Sequence, residues 1–166
     1  MQCLDLGFGG GHVTILSQDS CRYRFGASTY SRRHGFPWDE EHRILLVRHE
    51  TEGPWGLIGG AIEPDEAPEV AARREALEEV GVHVELIGLR GVFGGLAYRV
   101  RYPNGDEVAY VSTLFDAKIT YGTPTPDQDE VVEARWFTTE ELVRLKLNSF
   151  TLASFLDSGV IPRSEV

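Results

Sequence analysis

The stretch GAIEPDEAPEVAARREALEEVGV, residues 60–82, decides how the rest of the chain is read. Residues 68–80 form a predicted helix. Asp65 or Glu66 is expected to cap its start, Pro68 stands where a first-turn proline is tolerated, and Gly81 ends it. Its expected core stripe includes Val70, Leu77 and Val80. Glu75, Glu78 and Glu79 sit at i, i+3 and i+4, which at ~100° per residue puts three carboxylates within an arc of roughly 100°. Such a cluster repels itself unless a cation intervenes, and hard oxygen donors suit Mg²⁺ or Mn²⁺ better than zinc. Taken alone, the glutamates describe an ordinary solvated helix face. Their neighbours argue otherwise: Arg74 can hold a glutamate by a charge-assisted bond, and Gly59-Gly60 permits close backbone approach ahead of the helix.

Outward from that helix, residues 43–48 (RILLVR) read as a buried strand, broken by Gly53-Pro54. Downstream, residues 82–93 read as one or two strands. Residues 96–102 and 107–115 flank Pro103-Asn104-Gly105-Asp106, a hairpin signal. Residues 131–137 are a further strand, and Thr138-Thr139-Glu140-Glu141 resembles a capping box opening a helix over 142–147, with a last helix over 150–156. Ahead of residue 43, either residues 12–16 or 23–30 supply a first strand, and periodicity does not choose between them. Interleaved strands and helices without strict βαβ repetition predict an α/β fold, with helices on both faces of a mixed sheet.

The 166 residues suit one domain, 1–166, in which 1–42 is an N-terminal segment of no clear pattern. With 42% hydrophobic and 25% charged residues the chain has the composition of a globular protein. It has no apolar run of membrane-spanning length and no secretory signal at its start, so cytoplasmic residence is the default expectation. Two cysteines, Cys3 and Cys21, are too few for a disulfide framework. The net charge of −10 argues against a nucleic-acid backbone as the main partner. The first fifty residues balance six arginines against six acids, so the whole deficit lies in residues 51–166. An acidic site of this kind binds a small polyanion when divalent cations lie between the two.

The 60–82 stretch resembles the Nudix box: Gly60, Glu66, Arg74, Glu75, Glu78, Glu79, Gly81 and Val82 fall at its fixed positions without a gap, and Ala76 is a small choice at an aliphatic one. Trp55-Gly56-Leu57-Ile58-Gly59 also looks like the family's approach to the box, with Ile58 where a proline is common, and the likeness spans about residues 43–147. The resemblance implies an α/β/α sandwich and a metal-dependent pyrophosphohydrolase that cuts a phosphoanhydride bond in a nucleoside diphosphate linked to another group. It assigns Glu78 and Glu79 as principal metal ligands, joined by the Gly59 carbonyl. Glu75 would bind metal or position water, and Arg74 and Glu66 would brace loop and helix. A further acid from a loop is common in the family; here 127–130 is the source, and Glu130 is the expected residue, both as ligand and in catalysis.

For the substrate, Tyr98 and Tyr102 are expected to stack on a base, with Phe93 and Tyr110 as further candidates, and Arg99 and Arg101 to meet phosphates. Tyr98 follows the box at about the spacing at which the dinucleoside polyphosphate subgroup carries a tyrosine. Nucleoside triphosphates or dinucleoside polyphosphates lead as substrates. ADP-ribose or nucleotide-sugar hydrolysis, or a non-catalytic nucleotide-sensing role, stand as alternatives. Homodimers are common in the resembled family, but no interface is legible here.

Overall fold

The structure, a computed structural model, describes residues 21–28, 43–101, 105 and 107–165. The strands are β1 (Cys21–Ser28), β2 (Ile44–Arg48), β3 (His83–Phe93), β4 (Arg99–Arg101), β5 (Glu107–Tyr121) and β6 (Glu133–Phe137). The helices are α1 (Pro68–Val80), α2 (Thr139–Leu142) and α3 (Ser149–Asp157). The expected strand over 23–30 forms, as β1; the alternative, 12–16, lies outside the described residues.

The larger sheet runs β1-β5-β3, with β4 also paired to β5. β1 lies parallel to β5 while β3 and β4 lie antiparallel to it, so the sheet is mixed, as expected. β2 and β6 form a second, antiparallel pair. Alternation along β2 explains how helices cover both sides. Ile44 and Leu46 enter a cluster with Leu142 and Phe155 of α2 and α3, whereas Leu45 and Val47 enter another with Ala76 and Val80 of α1. All four are at most 1% exposed, each burial contributing ~1.5–3 kcal/mol before entropy is counted. Leu114 and Ala117 of β5 divide between the same two clusters. This is the layered α/β/α arrangement.

Helix α1 spans the expected residues but differs in two respects. Its N-cap is Ala67, which makes no side-chain capping bond; Glu66 is instead taken up by Arg74. Its inward face is also not the expected one, since Val70 and Leu77 are 53% and 45% exposed. The residues turned in are Ala72, Ala76 and Val80, at i, i+4 and i+8, and beside them Ala71, Glu75 and Glu79. Alanine lets the helix backbone lie close to the sheet, so the large apolar residues fall on the outer face and two glutamates fall at the packed edge. Gly81, in the left-handed region at φ 67°, ends the helix as expected, its N–H donating to the Leu77 carbonyl at 3.0 Å.

The capping box at Thr138 forms: Thr138 Oγ1 accepts from the Glu141 N–H and the Glu141 carboxylate accepts from the Thr138 N–H. The helix it opens, however, runs only over Thr139–Leu142 rather than 142–147. No helix among the described residues is long and apolar enough to cross a membrane.

Candidate active site

Residues 55–60 carry the chain from the core to Glu75 and Glu79 in the C-terminal half of α1. The Val47 and Gly56 backbones exchange hydrogen bonds of 2.9 and 2.8 Å, the Trp55 N–H donates to Lys146, and the Leu57 N–H donates to Thr151 Oγ1 at 3.0 Å. Trp55 also packs edge-to-face on Phe137, centroids 4.7 Å apart. Gly59 and Gly60 are therefore delivered on a braced segment, and the Gly59 N–H donates to Glu79 Oε2 at 3.1 Å.

Opposite them is an open cleft of about 680 Å³ lined by His49, Gly59, Gly60, Glu63, Arg74, Glu75, Glu78, Glu79 and Glu130. Of the expected catalytic and metal-binding residues, the structure brings together Gly59, Arg74, Glu75, Glu78, Glu79 and Glu130 here. Glu75 and Glu79 are 8% and 3% exposed, while the Glu78 side chain stands at the rim. Gly60 is required by close approach: a Cβ there would lie 2.2 Å from Glu75 Oε1.

Arg74 organises these acids. Its Nε and Nη2 hold Glu66 in a two-pronged pair at 2.9 Å each, and Nη2 also donates to the Ala61 carbonyl at 3.1 Å. Its Nη1 donates to Glu75 Oε1 and to Glu78 Oε2, both at 2.9 Å. All five guanidinium N–H groups are thereby used, which a lysine could not reproduce. The pair holds the Glu66 carboxyl down at about 2, and the acids push the Arg74 guanidinium further up. Burial pushes the Glu75 carboxyl above the ordinary carboxylate value; the Arg74 bond opposes this, and the charges of Glu78 and Glu130 add to the upward push.

The donor set fits a hard divalent cation: carboxylate oxygens, two of the three box glutamates buried, and a glycine cradle kept clear for one of them. Among the described residues no three acidic, histidine or cysteine side chains already converge on one point. Arg74 stands between Glu75 and Glu78, and as one positive charge among these acids it offsets only part of their repulsion.

Glu130 comes from the loop 122–132, between β5 and β6. The Thr125 and Asp127 N–H groups donate to the Val80 and Glu79 carbonyls at the end of α1, and His49 Nδ1 lies 2.8 Å from the Glu130 carbonyl oxygen. His49 follows β2 directly and was not legible as a site residue, because nothing in a lone histidine after a strand marks its partner.

The expected substrate contacts are placed differently. Tyr98 is 1% exposed; its ring packs edge-on against Phe150 and its hydroxyl donates to Asp157 at 3.0 Å, so it offers no face to a base. The expectation that Tyr98 stacks is corrected accordingly, and burial pushes its hydroxyl up to about 12. Tyr110 is likewise buried, and Phe93 is half-buried against the same cluster. Arg99 and Arg101 are exposed on β4, Arg101 pairs with Glu107 across the hairpin, and neither lines the cleft. Tyr102 lies outside the described residues.

With that geometry in view, residues 32–158 match the family profile described as NUDIX domain. The chain belongs to the Nudix family. It is 30% identical over 112 residues to the nucleoside triphosphatase NudI of Enterobacter sp. (strain 638), covering 66% of this chain and 79% of that protein. It is 44% identical over 54 residues to a MutT-like protein of Streptomyces ambofaciens, a match that spans 32% of this chain and only 35% of that relative. Among solved structures, the MutT protein of Methanosarcina mazei Go1 superposes with a TM-score of 0.65 over 86% of this chain and 96% of that one, at 19% identity. That last likeness shows the Nudix fold.

Proposed function

We propose that this Nudix chain is a Mg²⁺-dependent pyrophosphohydrolase, with Mn²⁺ as a substitute, that cleaves a phosphoanhydride bond in a small nucleotide, a nucleoside triphosphate foremost. One observation carries the reading: the three box glutamates line one cleft that also receives Glu130 from a separate loop. With Tyr98 in the core, the cue toward dinucleoside polyphosphates loses its support. The similarity to a protein named as a nucleoside triphosphatase supports the triphosphate assignment.

In this reading Glu78, Glu79, Glu75 and the Gly59 carbonyl would hold the cation, with Glu130 completing the set. When bound, the cation neutralises phosphate oxygens and lowers the pKa of attacking water. Glu75, a carboxylate partly withdrawn from solvent, would position that water from its place among the ligands. Arg74 fixes Glu75 and Glu78 while Glu66 fixes Arg74, so the acids are positioned before substrate arrives.

The test is a panel of nucleoside triphosphates, dinucleoside polyphosphates, ADP-ribose and nucleotide sugars with Mg²⁺ or Mn²⁺, products separated by chromatography. Glu79→Gln should lower kcat by about 10²–10³-fold while leaving the fold intact. A folded wild-type protein that binds nucleotide yet turns over none of the panel would favour a sensing role instead.

A further inference from the structure

We propose that Asp127 is a positioning residue for the reaction, building the loop geometry that presents Glu130 to the cleft; this rests on the pyrophosphohydrolase reading above. Three successive backbone N–H groups converge on its carboxylate. Asp129, Glu130 and Val131 donate to Oδ1 at 3.2, 3.2 and 2.8 Å, and Glu130 reaches Oδ2 as well at 3.3 Å. The side chain thus wraps the backbone around one oxygen, and Gln128 takes the left-handed conformation, φ 68°, that this tight turn demands.

The loop so formed is tied at both ends to elements of the site. The Asp127 N–H donates to the Glu79 carbonyl at 3.2 Å, so the residue that offers its carboxylate to the cleft also holds the loop by its backbone. On the far side the Val132 N–H donates to the Arg48 carbonyl at 2.9 Å and His49 meets the Glu130 carbonyl. Asp127 is itself exposed and does not line the cleft, so it acts through Glu130 and not on substrate. Loss of its carboxylate frees three amides that would otherwise fix the Glu130 backbone.

Oδ1 alone receives all three amides, and asparagine retains an acceptor oxygen at that position. Asp127→Ala is therefore expected to lower kcat about tenfold or more with KM little changed, and Asp127→Asn to stay within about threefold of wild type. Combined with Glu130→Gln, Asp127→Ala should change kcat by no more than about twofold, because the group it positions is already disabled. Amide exchange at residues 129–131 should accelerate in Asp127→Ala and stay slow in Asp127→Asn, whereas exchange in β5 stays unchanged in both. An active wild type with an unimpaired Asp127→Ala, or an equal loss with and without Glu130→Gln, overturns the proposal alone. An inert wild type overturns it together with the reading on which it rests.

Discussion

The carboxylate of Glu75 occupies the space in which residue 60 would carry a Cβ, 2.2 Å from Oε1 and 2.7 Å from the carboxyl carbon. Gly60 therefore matters for what it lacks. Gly60→Ala should drive the Glu75 carboxylate out of its cradle and break its 2.9 Å bond with Arg74. The expected outcome is a fall in kcat of roughly 10²-fold with a raised requirement for Mg²⁺ and an unchanged circular dichroism spectrum, since the clash is with a side-chain terminus and not with the sheet. Full activity with unaltered metal dependence would show that Glu75 is not needed where it lies.

Arg74 offers a second test. Arg74→Lys keeps the charge but loses the two-pronged geometry to Glu66, and should cost about 1–3 kcal/mol in denaturant unfolding. The acid behaviour follows from Glu66, whose carboxyl is lowered from 4.5 to about 2. A lowered folded value contributes stability that is complete above the unfolded value of 4.5 and is lost as pH falls through about 2. Wild type should thus lose stability between those limits, and Glu66→Gln should show a flatter profile there when urea midpoints are compared.

Tyr98 reports at the opposite end of the scale. Its folded value of about 12 exceeds the ordinary 10.0, so its contribution is complete below pH 10 and declines as pH rises toward 12. Tyr98→Phe should flatten alkaline unfolding over that window. The same variant should leave KM within about twofold of wild type, as a core residue rather than a stacking platform would. A large KM effect with unchanged stability would restore the tyrosine to the substrate site.

Metal removal should separate activity from folding. Because Arg74 already holds Glu75 and Glu78 by hydrogen bonds, chelation by EDTA should abolish turnover yet leave the thermal midpoint within a few degrees of its value at low free Mg²⁺. Unfolding on chelation, as in metal-nucleated domains, would contradict this.

The strand β2 and the boundaries of α1 were legible because each is written in strong local signals: a β-branched apolar run, a first-turn proline, a terminal glycine. The box glutamates were legible through their spacing. What was not legible depends on distance across the fold. Val70 and Leu77 looked like core because periodicity weighs large apolar residues above alanine, yet the close helix-to-sheet approach selects Ala72 and Ala76. The burial of Tyr98 is not written locally, since an aromatic beside a strand carries no mark of whether Phe150 and Asp157 will enclose it. β1 depends on pairing with β5, a partner far along the chain, in register from Cys21 with Ala109 to Ser28 with Asp116.

Ala71, Ala72 and Ala76 touch nothing that reacts, yet they set the depth at which the helix seats. They act as shims. Adding one or two carbons to any of them would raise the whole helix, and with it the glutamate oxygens, away from the glycines by a distance comparable to the tolerance of the chemistry. The working dimension of the cleft is thus gauged by methyl groups on its blind side, and a change that leaves every polar residue in place can still put the site out of adjustment.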